Sequence, residues 1–323
     1  MQDMGSCSGP SNSLNRDGIL LGDWHTIGGG EAGYAVPDPI DPNIVYAGEY
    51  GGYISRYDHR TKQARHVGVF PYDPSGIDPG DMKYRFQWTS PILISKHDPK
   101  YVYHACNYLF LTRNGGQSWD KVSNDLTRND RNKQKWAGGP ITGDNTGVEI
   151  YGTIFSLAES PKNKKIIWAG TDDGLIHVSL DQAYTWRNVT PNVPDLPDWG
   201  TVLCIEASPH DESTAYAVVE AHRLDDYRPH VWKTTDAGET WTRITDGLPA
   251  DGYARVIRED PNRRGLLYAG TETGIYVSFN DGDRWESLSL NLPDTQVCDI
   301  VVEKNDLVIT THGRGFYILD HIG

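Results

Sequence analysis

The stretch Glu220-Ala-His-Arg-Leu-Asp-Asp-Tyr-Arg228 gathers acids, guanidiniums and an imidazole within nine residues, between two apolar runs. Long charged loops on a rigid scaffold are common sites of function; the plainer reading is a solvated loop with internal salt bridges. Further acids sit in two short hairpin-like segments, Thr171-Asp-Asp-Gly174 and Thr271-Glu-Thr-Gly274. Cleavage of a glycosidic bond needs two carboxylates about 5–9.5 Å apart, one protonated and one ionised. Asp172 or Asp173, paired with Glu220 or Glu272, could form such a catalytic pair, although acids in these hairpins also serve as turn formers. Trp88, Trp199 and Tyr108 offer faces on which a sugar ring could stack. Glu149, His222, Arg223, His312 and Arg314 complete a candidate substrate-binding set. Glycines on both sides of Arg314 in His312-Gly-Arg-Gly315 allow close backbone approach to a ligand, or simply mark a hairpin.

Other chemistries fit less well. Arg223, Arg258 and Arg314 could form an arginine triad for a carboxylated sugar, but the usual sequence context of such arginines is missing. The 11 histidines show no metal spacing, and His210, His222 and His230 come nearest to a cluster. Asp225 and Asp226 could hold a structural Ca²⁺ with loop carbonyls; otherwise no cofactor and no metal are expected. The sequence contains no serine-nucleophile elbow, phosphate-binding loop or HExxH.

The positioning elements must be short strands. Among 323 residues there are 34 Gly, 19 Pro, 18 Tyr and 10 Trp against 3 Met, a mix suited to strands joined by tight turns. The net charge of −14 disfavours a nucleic-acid partner and an anionic membrane surface. Arg128–Lys135 (RNDRNKQK) reads as a solvated loop. No apolar run approaches the roughly 20 residues of a membrane span. The N-terminal MQDMGSCSGPSNS lacks the basic and apolar regions of a signal peptide. Cys106, Cys204 and Cys298 sit in apolar runs and read as small buried thiols, while Cys7 could enter a disulfide.

An internal repeat organises the chain. Thr112–Trp119, Ser179–Trp186, Thr234–Trp241 and Ser278–Trp285 share the form S/T-x-D/N-x-G-x-S/T-W, with Ala183 in place of Gly and Arg284 in place of Ser/Thr. The acid or amide folds back onto nearby backbone N–H groups, Gly accepts positive φ, and Trp packs the outgoing strand against its neighbour. Upstream of each lies a second recurring pattern, as in DPNIVYAGEYGG from Asp41, DPKYVYHACN from Asp98 and DPNRRGLLYAGTETG from Asp260. Each unit thus reads as four strands over about 45–65 residues, the size of a propeller blade.

Complete units run over about 28–70, 84–123, 148–190, 200–245 and 252–290. The first uses Asp58-His-Arg-Thr61 at the motif's hairpin. Residues 296–323 supply three more strands, and residues 1–27, around Asp23-Trp24-His25, the fourth of a closing blade. The expected fold is therefore all-β: a single β-propeller domain over 1–323, six-bladed with seven as the alternative count. No 3.6-residue apolar period supports a helical or α/β fold.

The sequence resembles bacterial BNR/Asp-box repeat "glycosyl hydrolase" proteins with a sortilin/VPS10-like propeller. The resemblance covers essentially the whole chain and is carried by IGGGEAGYAVPDPIDPNIVYA, TSPILISKHDPKYVYHACNYLF, DNTGVEIYGTIFSLAESP, IIWAGTDDGLIHVSLD, LLYAGTETGIYVSFNDG and THGRGFYILD. It implies export to the periplasm or cell exterior, further repeats of a longer protein, and ligands at the channel face. It also implies a glycoside hydrolase-like propeller that binds, and could hydrolyse, a polysaccharide or glycoconjugate. The competing expectation is a non-catalytic module that captures a peptide or protein, or a scaffold.

Overall fold

The structure, a computed structural model, describes residues 5–31, 33–70, 73–139, 141–144 and 146–322. Residues 1–155 and 156–323 form two compact units, the division falling inside one strand. In the first unit, β1 (Cys7–Ser8) pairs with β2 (His25–Thr26) as a two-stranded ribbon. The first blade is β3 (Ala35–Pro37), β4 (Ile44–Gly48), β5 (Ile54–Asp58) and β6 (Gln63–His66). The second is β7 (Ile92–Ile94), β8 (Val102–Ala105), β9 (Leu109–Thr112) and β10 (Asp120–Lys121). A ribbon of β11 (Ala137–Gly138) and β12 (Gly143–Asp144) follows.

The strand containing the division, β13 (Ile154–Glu159), opens the blade that continues through β14 (Ile167–Thr171), β15 (Ile176–Ser179) and β16 (Arg187–Asn188). Next comes the blade of β17 (Thr201–Ala207), β18 (Ala215–Ala221), β19 (Asp226–Thr234) and β20 (Thr242–Arg243). It is followed by β21 (Ala254–Glu259), β22 (Leu267–Thr271), β23 (Ile275–Ser278) and β24 (Glu286–Ser287). The last sheet has three strands, β25 (Val297–Glu303), β26 (Asp306–Thr311) and β27 (Phe316–Leu319). Six successive antiparallel sheets, each wound in sequence order, make this a six-bladed β-propeller, and no α-helix occurs among the described residues.

In five of the six blades the second strand (β4, β8, β14, β18 and β22) is buried throughout. A strand covered on both faces reads as a continuous apolar run such as AYAVVEA, not as an alternation. In the second unit the core includes Trp168 and Trp232, both fully buried, each contributing a few kcal/mol by the usual area rule.

The recurring turn does the work its residue types suggest. Asp236 Oδ1 accepts from the Thr234 hydroxyl (2.8 Å) and the Thr240 N–H (2.9 Å), while Thr234 Oγ1 accepts from the Gly238 N–H (3.0 Å). The same three bonds recur around Asn114, Asp181 and Asn280. Ala183 takes φ +71° where the other three copies carry Gly at φ +81°, +86° and +92°. Within each unit, turns lean on the preceding blade. Trp119 Nε1 donates to Val67 O and Trp285 Nε1 to Ile244 O, both at 2.8 Å. A Cβ on Gly116 would lie 2.4 Å from Val67 Cβ. In the first blade Asp58 takes the hairpin role, accepting from the Arg60 N–H (2.9 Å) and pairing with its guanidinium.

All four cysteines are free thiols, Cys106 and Cys204 buried and Cys7 and Cys298 half-buried. Burial pushes the Cys106 thiol up to about 12.

Candidate functional site

In the second unit, the loops at one edge of four consecutive sheets meet in a chain of polar contacts. It begins at the β14–β15 hairpin, where Thr171 Oγ1 donates to Asp173 Oδ1 (2.6 Å) and Asp173 is almost fully buried. Asp172 is also buried, and its carbonyl accepts from Thr201 Oγ1 (3.2 Å). Trp199, at φ +65°, lies beside this hairpin: a Cβ on Gly174 would come within 3.3 Å of its backbone.

Thr201 sits directly opposite Glu220 in the β17–β18 ladder. Glu220 is 7 % exposed, with a nitrogen close to each carboxylate oxygen. Arg255 donates to Oε2 at 2.8 Å, and His222 Nδ1 lies 2.5 Å from Oε1. The His222 ring stacks on Tyr253, with centroids 4.7 Å apart and planes 15° apart, and the Tyr227 ring centroid lies 6.4 Å from that of His222, tilted by 48°. Burial, reinforced by the charges of Glu272 and Glu220, raises the Tyr253 phenol above its ordinary value. The Tyr253 hydroxyl accepts from Gln296 Nε2 (2.7 Å), and Gln296 Oε1 is 3.2 Å from His312 Nδ1. The Glu272 N–H donates to Tyr253 O at 3.0 Å.

Of the residues expected from sequence, Glu220, His222, Glu272 and His312 thus join one network, with Asp172, Asp173 and Trp199 on its flank. Arg223 and Arg314 are exposed nearby in sequence on the β18–β19 and β26–β27 connections. Asp226 accepts from both Arg228 and His230, at 2.7–2.9 Å, so its oxygens serve the hairpin. Arg228 is the main cause that holds its carboxyl well below the usual range. No group of three or more metal-ligating side chains occurs among the described residues.

Trp88, Tyr108 and Glu149 belong to the first unit. Trp88 is half-buried with an enclosed indole N–H, Glu149 is exposed, and Tyr108 packs edge-on against Tyr84 (6.0 Å) under Lys121 Nζ (4.5 Å). The adjacent Asn107 is buried and donates to Asp125 (2.7 Å), which also pairs with the buried Arg85 (3.0 Å).

Arg255 and Gln296 were not singled out in the sequence. Alternation along a strand could not have found Arg255, which sits at the ladder irregularity between Ala254 and Val256, and Gln296 carries no signal either.

No family model matches the chain, and no curated protein matches it in sequence. Solved structures do resemble it in fold. A GH74 xyloglucanase from Xanthomonas campestris is 15 % identical, with a TM-score of 0.59 over 89 % of this chain and 44 % of its own. YCF48 from Cyanidioschyzon merolae is 12 % identical, with a TM-score of 0.58 over 87 % of this chain and 80 % of its own. YCF48 bound to D1 peptide is 13 % identical, with a TM-score of 0.53 over 90 % and 83 %. What they share is the propeller. The chain spans less than half the length of the xyloglucanase, and identities this low carry the fold alone. No helix among the described residues is long and apolar enough to cross a membrane.

Proposed function

We propose that this propeller is a carbohydrate-binding module whose ligand is received at the Glu220–His222–Tyr253–Gln296–His312 cluster. One observation carries the reading: a buried carboxylate, a stacked imidazole–phenol pair and an amide are linked across three sheets. Sugar recognition calls for this combination of planar ring faces and fixed donors and acceptors. His222 and the exposed Tyr227 offer the accessible ring faces, while Glu220 and Gln296 orient hydroxyls.

Binding without cleavage fits the contacts better than hydrolysis. A catalytic acid must present a proton to the leaving oxygen, yet Glu220 Oε2 accepts from the Arg255 guanidinium, which favours the ionised carboxylate. Asp173 is likewise committed to Thr171. A glycan panel scored for both binding and reducing-end release tests this. Binding lost in Tyr253→Ala and weakened in Glu220→Gln supports the reading; unchanged binding in both removes it.

A second reading, capture of a protein or peptide, is favoured by the match to peptide-bound YCF48, which extends over 83 % of that chain. Leu224 on the β18–β19 connection and Tyr227 at the start of β19, both about half exposed, would then be apolar anchors. Export of the protein, implied by the family resemblance, is part of the same proposal.

A further inference from the structure

Five of the six sheets end in a short fourth strand, and in four of them that strand has one construction. A motif Trp leads into two paired residues and then an aliphatic one: Trp119–Val122 around β10, Trp186–Val189 around β16, Trp241–Ile244 around β20 and Trp285–Leu288 around β24. The aliphatic residue donates its N–H to the third strand, as Ile244 does to Val231 O (3.0 Å) and Leu288 to Ile275 O (2.9 Å). The Trp fills the apolar layer beside that strand. Trp241 shares one buried cluster with Val189, Val193, Ala215 and Ala217, and Trp285 shares another with Ile244, Leu248 and Leu267.

The last sheet stops at β27, with no fourth strand among the described residues. Phe316–Leu319 pair with β26 as Ile275–Ser278 pair with β22, so the two sheets can be matched residue by residue. The counterparts of the Trp neighbours are Leu288, Leu292, Leu307 and Ile309, and together with Tyr317 and Leu319 they line a pocket. Ile309 stands where the two preceding sheets carry Ala217 and Ala269, which narrows the pocket without closing it. The backbone of β27 is open as well. The Thr311 N–H bonds Gly315 O, and alternation along an antiparallel pair then turns the peptide groups of Phe316 and Ile318 away from β26. Both side chains are exposed, Phe316 by 57 % and Ile318 by 37 %. An apolar edge of this kind is a template for pairing with another chain. A further segment of the same form, Trp24–Ile27, is engaged within the first unit, where β2 pairs with β1 and Ile27 packs with Val45 and Tyr57.

We propose that the edge of β27 and the pocket beside it are a docking site for an extended peptide segment of another polypeptide. The segment adds as the fourth strand of the last sheet and seats one large apolar side chain, the Trp of the other sheets, over Leu288 and Leu292. Main-chain bonds to Phe316 and Ile318 supply affinity, and the pocket selects the side chain. The site shares no residue with the Glu220 cluster and stands or falls separately.

Titration of the full chain into a fluorescein-labelled synthetic peptide with the sequence of residues 240–246 (TWTRITD), read by fluorescence anisotropy, tests it. Saturable one-to-one binding is expected. It should weaken at least tenfold when the peptide's Trp is replaced by Ala, when the peptide nitrogen corresponding to Ile244 is methylated, and in the chain variant Ile318→Pro. Proline is tolerated on edge strands and here removes an N–H that the β26–β27 ladder does not use, so Ile318→Pro should melt close to the parent. If it does not fold, the two altered peptides decide the matter alone. Absence of saturable binding, or equal binding of the methylated and unmodified peptides, would overturn the proposal. So would dimers of the parent chain that form without any peptide binding and are dispersed by Ile318→Pro, which would assign the edge to a second copy.

Discussion

Glu220 is buried and paired with Arg255, and that determines what its replacement should do. Glu220→Gln keeps the shape but leaves the Arg255 guanidinium without its anionic partner in a half-buried setting. Truncating one side of such a pair costs more than the pair contributes. We expect destabilisation of about 1–3 kcal/mol in chemical unfolding and glycan affinity reduced about tenfold. Gly116 makes a second prediction at this scale. With φ +81° and Val67 Cβ 2.4 Å from where a methyl would sit, Gly116→Ala combines backbone strain with overpacking and should cost about 2–4 kcal/mol. Ala183→Gly relaxes the one copy that carries a Cβ at the motif's glycine position, at φ +71°. It should be neutral or stabilising by up to about 1 kcal/mol.

At the scale of elements, burial and hydrogen bonding make acid stability a property of particular strands and turns. His104 on β8 is fully enclosed, its ring stacked on Phe86 at 5.1 Å, and burial drives its imidazole down to about 4. The unfolded chain takes up this proton near the ordinary value of about 6.5, so it binds more protons than the native state between these limits. Stability should therefore fall as pH drops from about 6.5 to 4, by about 3 kcal/mol from this group alone. In His104→Phe, denaturant melts across that range should show a distinctly shallower slope. Below pH 4 the turn carboxylates follow. Burial opposes ionisation of Asp181 and Asp236, but hydrogen bonds from Thr185 and Thr240 outweigh it and lower both pKa values. Their contribution is present above the ordinary carboxyl value and lost as pH falls through the lowered one. Asp236→Ala, which strips the bonds to Thr234 and Thr240, should cost about 1 kcal/mol at neutral pH, and Asp236→Asn less, as Asn114 and Asn280 fill the same position.

These elements were the legible part of the sequence. Turn chemistry is local, so S/T-x-D/N with a following Trp identifies a hairpin from eight residues. The loops after second strands could be assigned because strand order is fixed once the hairpins are known. Gln296 and Arg255 escaped notice for the opposite reason. Their significance depends on cross-strand register and on what the neighbouring sheet brings up, and neither leaves a pattern along the chain. Asp173 was ambiguous for a third reason: a hairpin acid and a catalytic acid have the same sequence appearance, and only the 2.6 Å bond from Thr171 reveals its local task.

For the molecule as a whole, each of the six sheets supplies short loops at its strand ends that can be specialised, while buried second strands hold register within the sheet. The same fold occurs in a xyloglucanase and in YCF48, so function must be sought in the loops. The central claim is that the Glu220 cluster binds a glycan without breaking it. Incubating the full chain with a panel of polysaccharide-derived oligosaccharides, and measuring bound ligand and newly formed reducing ends in the same samples, addresses it most directly. We predict saturable binding of at least one oligosaccharide, abolished in Tyr253→Ala, with no reducing ends above the protein-free control. Reducing ends that accumulate with the parent chain and vanish in Glu220→Gln or Asp173→Asn would contradict it.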